Sequence, residues 1–169
     1  MAGPLIVTAD FSADDYSWLE GLRRAHYPAE LNRVPVHLTM FQALPPSEVE
    51  NVRYQLALHS KSPPPTATIA GLMNLSSGVA YRVVSGELET IREAIADHFH
   101  GMLSAPDAAA WRPHITIQNK VSGREAKALL DALKRDFRPR PLGITGLTLH
   151  RYRGGPWETL ATYKFRGAK

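Results

Sequence analysis

Two histidines, His37 and His114, each stand two residues before a threonine, in His37-Leu38-Thr39-Met40 and His114-Ile115-Thr116-Ile117. Residues i and i+2 of an extended strand share a face. Each histidine should therefore lie beside its threonine, Thr39 or Thr116, while Leu38, Met40, Ile115 and Ile117 turn to a core. An imidazole titrates near neutrality, so of two imidazoles one can accept a proton while the other donates. Displacement at phosphorus runs with entering and leaving oxygens roughly in line, and a histidine on each side of a phosphate would serve both ends. A threonine hydroxyl can donate to a non-bridging phosphate oxygen without adding a charge beside the imidazole. A lone H-x-T-x match is weak evidence, because a histidine on a half-buried strand is ordinarily structural. The signal lies in its repetition.

The repetition extends beyond the histidines. Ser47-Glu48-Val49-Glu50 and Ser122-Gly123-Arg124-Glu125 both read as capping boxes, in which serine and glutamate satisfy free N–H groups at a helix start. Ile69-Ala70-Gly71-Leu72 is matched by Ile144-Thr145-Gly146-Leu147. Ser47 to Gly71 and Ser122 to Gly146 are the same 24 residues apart, and histidine to serine is 10 residues in one copy and 8 in the other. One short loop insertion accounts for the difference. Neither copy is large enough to cover a sheet face alone, so the two must pack together and bring the histidine strands to face each other.

Around these landmarks the patterns predict strands over 4–11, 36–44, 66–75, 79–84, 114–121, 142–152 and 157–165. Helices are predicted after Ser12, Ser47, Gly86 and Ser122. After Ser12, Trp18, Leu22 and Ala25 recur at helical spacing, as Leu88, Ile91, Ile95 and Phe99 do after Gly86. The Gly154-Gly155-Pro156 run reads as a tight turn that leads Trp157 and Glu158 into the last strand.

Bulk properties narrow the function classes. A chain of 169 residues suits one domain, and 44% apolar with 21% charged residues is ordinary globular composition. No run approaches the ~18 apolar residues of a membrane helix, and the start lacks the flanks of an export signal. A cytoplasmic location is the default expectation. With no cysteine there is no thiol nucleophile and no thiolate metal site. A zinc ion shared by the two histidines would need a third ligand that neither motif supplies, and His98 and His100, two apart on a helix, point to different sides. No metal and no cofactor are expected. The formal charge of +4 favours an anionic ligand, although the basic residues are scattered.

The duplicated H-x-T-x pattern resembles the two-histidine (2H) phosphoesterase superfamily, which includes 2′-5′ RNA ligase-like proteins and cyclic phosphodiesterases. His26-Tyr27-Pro28, the run Pro113 to Val121 and Gly154-Gly155-Pro156-Trp157-Glu158 are similar to a bacterial branch of it. The resemblance spans nearly the whole chain. It implies an α+β fold of two lobes related by an approximate two-fold axis, each an antiparallel sheet with helices on its outer face, with the active site between them. It implies a single bilobed domain over 1–169, with copies at approximately 30–85 and 107–166. It also implies metal-independent action on 2′,3′-cyclic phosphate or 2′-5′ phosphodiester linkages of RNA or nucleotides, by a monomer. His37 and His114 would transfer protons and Thr39 and Thr116 would bind phosphate. For hydrolysis, His114 is expected as base toward water and His37 as acid toward the departing ribose oxygen. The alternative from another class is a non-catalytic RNA- or nucleotide-binding module of the same fold.

Strand parity adds secondary candidates for substrate binding. Gln118 and Lys120 lie on the His114 face and Phe41 on the His37 face, where core packing is the commoner fate of an aromatic ring. Arg151 and Tyr152, with Arg33 and Arg153, are further candidate ligand contacts.

Overall fold

Ser12 ends the first strand and starts the first helix: its hydroxyl accepts from the Asp15 N–H at 3.4 Å, the N-cap its spacing predicts. The computed structural model describes residues 3–168. In it β1 (Leu5–Phe11) is followed by α1 (Ala13–His26), β2 (Leu38–Leu44), α2 (Val49–His59) and β3 (Thr66–Asn74). The order then recurs as β4 (Val79–Val84), α3 (Gly86–His98), the single turn α4 (Ala105–Ala108), β5 (His114–Gln118), α5 (Gly123–Asp136) and β6 (Arg140–Arg151). A final strand, β7 (Glu158–Lys164), pairs back onto β6.

The two expected capping boxes fare differently. Ser122 accepts from the Glu125 N–H at 3.1 Å and caps α5. Ser47 caps nothing, because Pro45-Pro46 begins a 3₁₀ turn closed by the Glu48 N–H on the Pro45 carbonyl at 3.0 Å. Ser47 is thereby held inside a turn, out of the extended conformation an N-cap needs, and α2 starts at Val49 with no side-chain cap.

Every strand pairing is antiparallel. The path runs β2-β1-β6-β3-β4-β5, with β7 also on β6. The 12-residue β6 serves both parts of the sheet: residues 140–143 pair with β3, and residues 144–151 pair with β1. The two end strands of the path, β2 and β5, come into contact with each other. The expected α+β architecture, an antiparallel sheet with helices, is the one observed.

Alternation along the strands decides what faces the core. Leu5, Val7 and Ala9 of β1 and Leu147 and Leu149 of β6 join Leu19, Val52, Leu56, Leu88 and Ile95 from the helices in one apolar cluster. Each valine, leucine or isoleucine among them contributes roughly 1.5–3 kcal/mol by leaving water. On α5, Ala126, Leu129 and Leu130 fall at helical spacing on one face, and the two leucines cover Val79 of β4. With the core on one side, the residues between these positions on β1, β2, β5 and β6 are left to build a site.

Candidate active site

Leu38, Met40, Ile115 and Ile117 are all at most 1% exposed and belong to the core cluster. His37, Thr39, His114 and Thr116 between them are half-buried, as the two-residue alternation requires. The rings are held in the same way in both motifs. His37 Nδ1 lies 2.8 Å from the Pro35 carbonyl and His114 Nδ1 2.7 Å from the Arg112 carbonyl, each two residues upstream. A carbonyl can only accept, so Nδ1 carries the proton in both rings. In each neutral ring this leaves Nε2 as the nitrogen with a free lone pair.

The two motifs meet. Thr39 from the first and His114 from the second line one cavity of about 160 Å³, together with Trp111, Arg92 and Arg112. Cross-bonds hold the strands there. Trp111, just ahead of β5, donates its indole N–H to the Thr39 carbonyl at 3.0 Å. Arg23 on α1 donates to the Thr116 carbonyl at 2.8 Å and to the Asn32 side chain at 2.9 Å. On α3, Arg92 donates to the Met40 carbonyl at 3.1 Å and to the Asp107 carbonyl at 2.7 Å.

Burial pulls the His37 pKa down from 6.5 to about 4. Its bond to Pro35 opposes the shift, and the positive fields of Arg23, His150 and His114 add to it. His37 is therefore a neutral base near pH 7. Its ring meets Trp157 edge-on at 4.7 Å between centroids, and Trp157 in turn lies 5.3 Å from the ring of His150. These three line a second cavity, of about 390 Å³, over the β1 and β6 faces opposite the core, with Thr8, Asp10, Tyr16 and Arg33 among its other walls. His150 bridges Thr8, at 2.9 Å from Nε2, and Thr159, at 3.1 Å from Nδ1, and burial lowers its pKa. Asp10 accepts from the Thr148 hydroxyl; burial raises its pKa and that hydrogen bond lowers it.

The secondary candidates separate. Phe41 is 0% exposed, with the Arg92 guanidinium 4.2 Å above its ring. The β1–β2 register slips between the pairs Val7↔Phe41 and Thr8↔Thr39, so Met40 and Phe41 both turn inward and parity fails past the bulge. The same slip occurs in β5, between the pairs Val79↔Gln118 and Ala80↔Thr116, and Gln118 is 5% exposed with its carbonyl oxygen unpartnered. Lys120 lies beyond the strand end, exposed, with a left-handed φ of 62°, so no strand parity reaches it. Arg151 is half-buried and Tyr152 is exposed. Neither lines either of the two cavities, whereas Arg33 lines the one beside His37.

Arg23, Arg92, Asp107, His150 and Asp10 carry parts of this arrangement that motif reading did not find. Arg23 and Arg92 sit on helices that read as merely amphipathic. His150 had a weak signal, lying beside Arg151 near the Gly154-Gly155-Pro156 turn. Among the described residues, no three or more His, Asp or Glu side chains are grouped so as to hold a metal ion, and no helix is long and apolar enough to cross a membrane.

Comparison with solved structures finds the same fold in distant relatives. TT0787 of Thermus thermophilus superimposes with a TM-score of 0.68 at 15% identity, covering 97% of this chain and 98% of that one. E. coli LigT complexed with NADP+ gives 0.62 at 20% identity, covering 98% and 99%. LigT complexed with 3′-AMP gives 0.59 at 18% identity over the same shares. No curated protein sequence matches the chain. The model of the 2′-5′ RNA ligase superfamily matches residues 11–156, the stretch that holds both histidine motifs and the cross-bonds between them, and the chain belongs to that superfamily of two-histidine phosphoesterases.

Proposed function

We propose that the protein is a cytoplasmic, monomeric phosphoesterase that opens 2′,3′-cyclic phosphates or 2′-5′ phosphodiester linkages of RNA or nucleotides without a metal ion. The observation that carries this reading is the shared cavity of Thr39 and His114, one residue from each motif, with His37 and Thr39 on the same face of the first motif strand. Crystals of E. coli LigT with 3′-AMP, NADP+ and ATP support a nucleotide as the ligand class.

The low proton affinity of His37 favours it as the base, the role opposite to the one expected from sequence. His37, neutral near pH 7, accepts a proton from water through Nε2 as the water oxygen bonds to phosphorus. His114 is left as the acid and donates through Nε2 to the ribose oxygen as its bond to phosphorus breaks. Thr39 and Thr116 donate to the non-bridging oxygens, where charge accumulates. Ligation runs the same steps in reverse, with the two histidines exchanging roles.

The test is incubation of the purified protein, with EDTA present, with 2′,3′-cyclic mononucleotides and a 2′-5′-linked dinucleotide. Turnover that the His37→Ala/His114→Ala double variant abolishes is expected. No turnover, with nucleotide binding unchanged in that variant, would overturn the enzyme in favour of a non-catalytic binding module. Loss of all activity on chelation would overturn metal independence.

A further inference from the structure

The open face beside His37 is built unlike its counterpart beside His114. Thr39 of β2 pairs with Thr8 of β1, Thr8 with Thr148 of β6, and Thr148 with Thr162 of β7. A row of hydroxyls thus leads from the proposed phosphate ligand Thr39 across four strands, and Thr8, Thr148 and Thr162 line the 390 Å³ cavity. That volume lies within the ~300–1,000 Å³ of small-molecule pockets. Asp10 and His37 both line this cavity. The strand partner of His114 is Arg82. The open face next to His37 therefore carries a carboxylate, hydroxyls and an indole, whereas the strand neighbour of His114 is an arginine whose guanidinium reaches away to the Ala70 carbonyl.

Trp157 is held in place from two directions. Its ring touches those of His37 and His150, and its loop is clipped by Arg153, whose Nε and Nη2 both donate to Glu158 Oε2, at 3.1 and 2.8 Å. A fixed, partly exposed indole beside the phosphate site is a stacking surface for a base. Asp10 accepts one hydrogen bond, from the Thr148 hydroxyl, through both its oxygens, so an ionised carboxylate retains lone pairs for a second partner.

We propose that the cavity beside His37 is a nucleobase pocket that selects guanine, with Trp157 as its aromatic wall and Asp10 as the acceptor for the base edge. The inference rests on the phosphoesterase reading and specifies its substrate. Guanine presents two adjacent donors, N1–H and the N2 amino group, to an acceptor-only carboxylate. Adenine and cytosine place one amino donor next to an unprotonated ring nitrogen that a carboxylate repels. Uracil has a single N–H between two carbonyls. A site that pairs polar groups in this way discriminates strongly against bases lacking them.

The experiment compares kcat/KM for the four nucleoside 2′,3′-cyclic phosphates, and calorimetric affinity for the four nucleoside 3′-monophosphates, in the wild type, Asp10→Asn and Trp157→Ala. Thermal unfolding checks that each variant is folded. Asn keeps an oxygen for Thr148 while replacing an acceptor with a donor. The expected result is a guanosine preference of about tenfold or more that collapses toward unity in Asp10→Asn. Trp157→Ala should weaken all four ligands by about tenfold. Equal affinities for the four bases in the wild type, or a guanosine preference that survives Asp10→Asn, would overturn the pocket. Absence of turnover with a calorimetric guanosine preference that depends on Asp10 would defeat the catalytic reading and support the pocket.

Discussion

Arg23, on the helix that precedes the first histidine motif, donates a 2.8 Å hydrogen bond to the carbonyl of Thr116 in the second. Arg92, on the helix that precedes the second motif, makes the corresponding bond to the Met40 carbonyl in the first. β2 and β5 are end strands of the path, so each would present unpaired backbone groups along its outer edge. Each motif strand is instead closed by an arginine from the other half of the chain, and the bonds that complete the fold also fix the distance between the two histidine strands.

Arg23→Met should loosen both fold and site. Arg23 is 4% exposed, and its loss leaves the Thr116 carbonyl and the Asn32 amide oxygen without this donor, at about 1–3 kcal/mol for each group left buried and unpaired. Arg23→Lys keeps the charge but cannot reach both acceptors as a planar fork. Urea denaturation should rank wild type, Lys and Met in falling stability, with turnover falling in the same order. A Lys variant indistinguishable from wild type would show that the charge alone matters.

Asp107 makes a second edge closure. Its carboxylate oxygens accept from the Gln42 and Ala43 N–H groups of β2 at 2.8 and 2.9 Å, and the residue is 2% exposed. Asp107→Ala removes both acceptors and opens the edge of β2. The expected outcome is a loss of about 2–4 kcal/mol, from two charge-assisted hydrogen bonds, and greater aggregation on heating. Thermal scans with light scattering read both. Asp107→Asn, which still has one acceptor, should fall between.

These closures mark the limit of what was legible in the sequence. The motif strands could be read because alternation is local: Leu38 and Met40 against His37 and Thr39 needs no knowledge of the partner strand. Ser12 and Ser122 could be read as caps for the same reason. Strand parity alone puts Phe41 and Gln118 on the open face, yet both are buried, for Phe41 the core fate commoner for an aromatic ring, because a bulge depends on the neighbouring strand and shifts parity at the same step in both copies. Ser47 failed as a cap because two prolines imposed a tighter turn. Arg23, Asp107 and His150 act across 93, 65 and 142 residues of chain, a range over which spacing carries no signal.

Removing single groups from the motifs should grade as their proposed roles do. His37→Gln and His114→Gln should each lower kcat by about 10²–10⁴, the range for one general acid or base. Thr39→Val and Thr116→Val should each cost up to about 10²–10³, the range for one oxyanion donor. The double histidine variant should fall less than the product of the singles, because the two proton transfers belong to one displacement. Steady-state kinetics on a 2′,3′-cyclic phosphate decides this. A threonine variant with unaltered kcat and KM would remove that residue from the phosphate site.

The depressed pKa of His37 makes acid stability a test of its environment. Its folded-state pKa is about 4 against 6.5 when free, so between those values the unfolded chain binds a proton that the folded chain does not. Stability then rises with pH across this window, and the contribution is lost as pH falls from 6.5 toward 4. The slope from this one group is below about 1.4 kcal/mol per pH unit, and lower still because the ring keeps some contact with water. His37→Gln cannot titrate, whereas His150, also depressed by burial, titrates in both proteins and cancels in the difference. Denaturation midpoints measured from pH 4 to 8 should therefore show the wild type losing stability faster than His37→Gln as the medium is acidified. The kcat/KM profile should stay flat well below pH 6.5, because the base remains unprotonated there. Parallel stability curves, or an activity loss on acidification centred near 6.5, would mean that the His37 ring is solvated like a free imidazole and cannot be the preformed base.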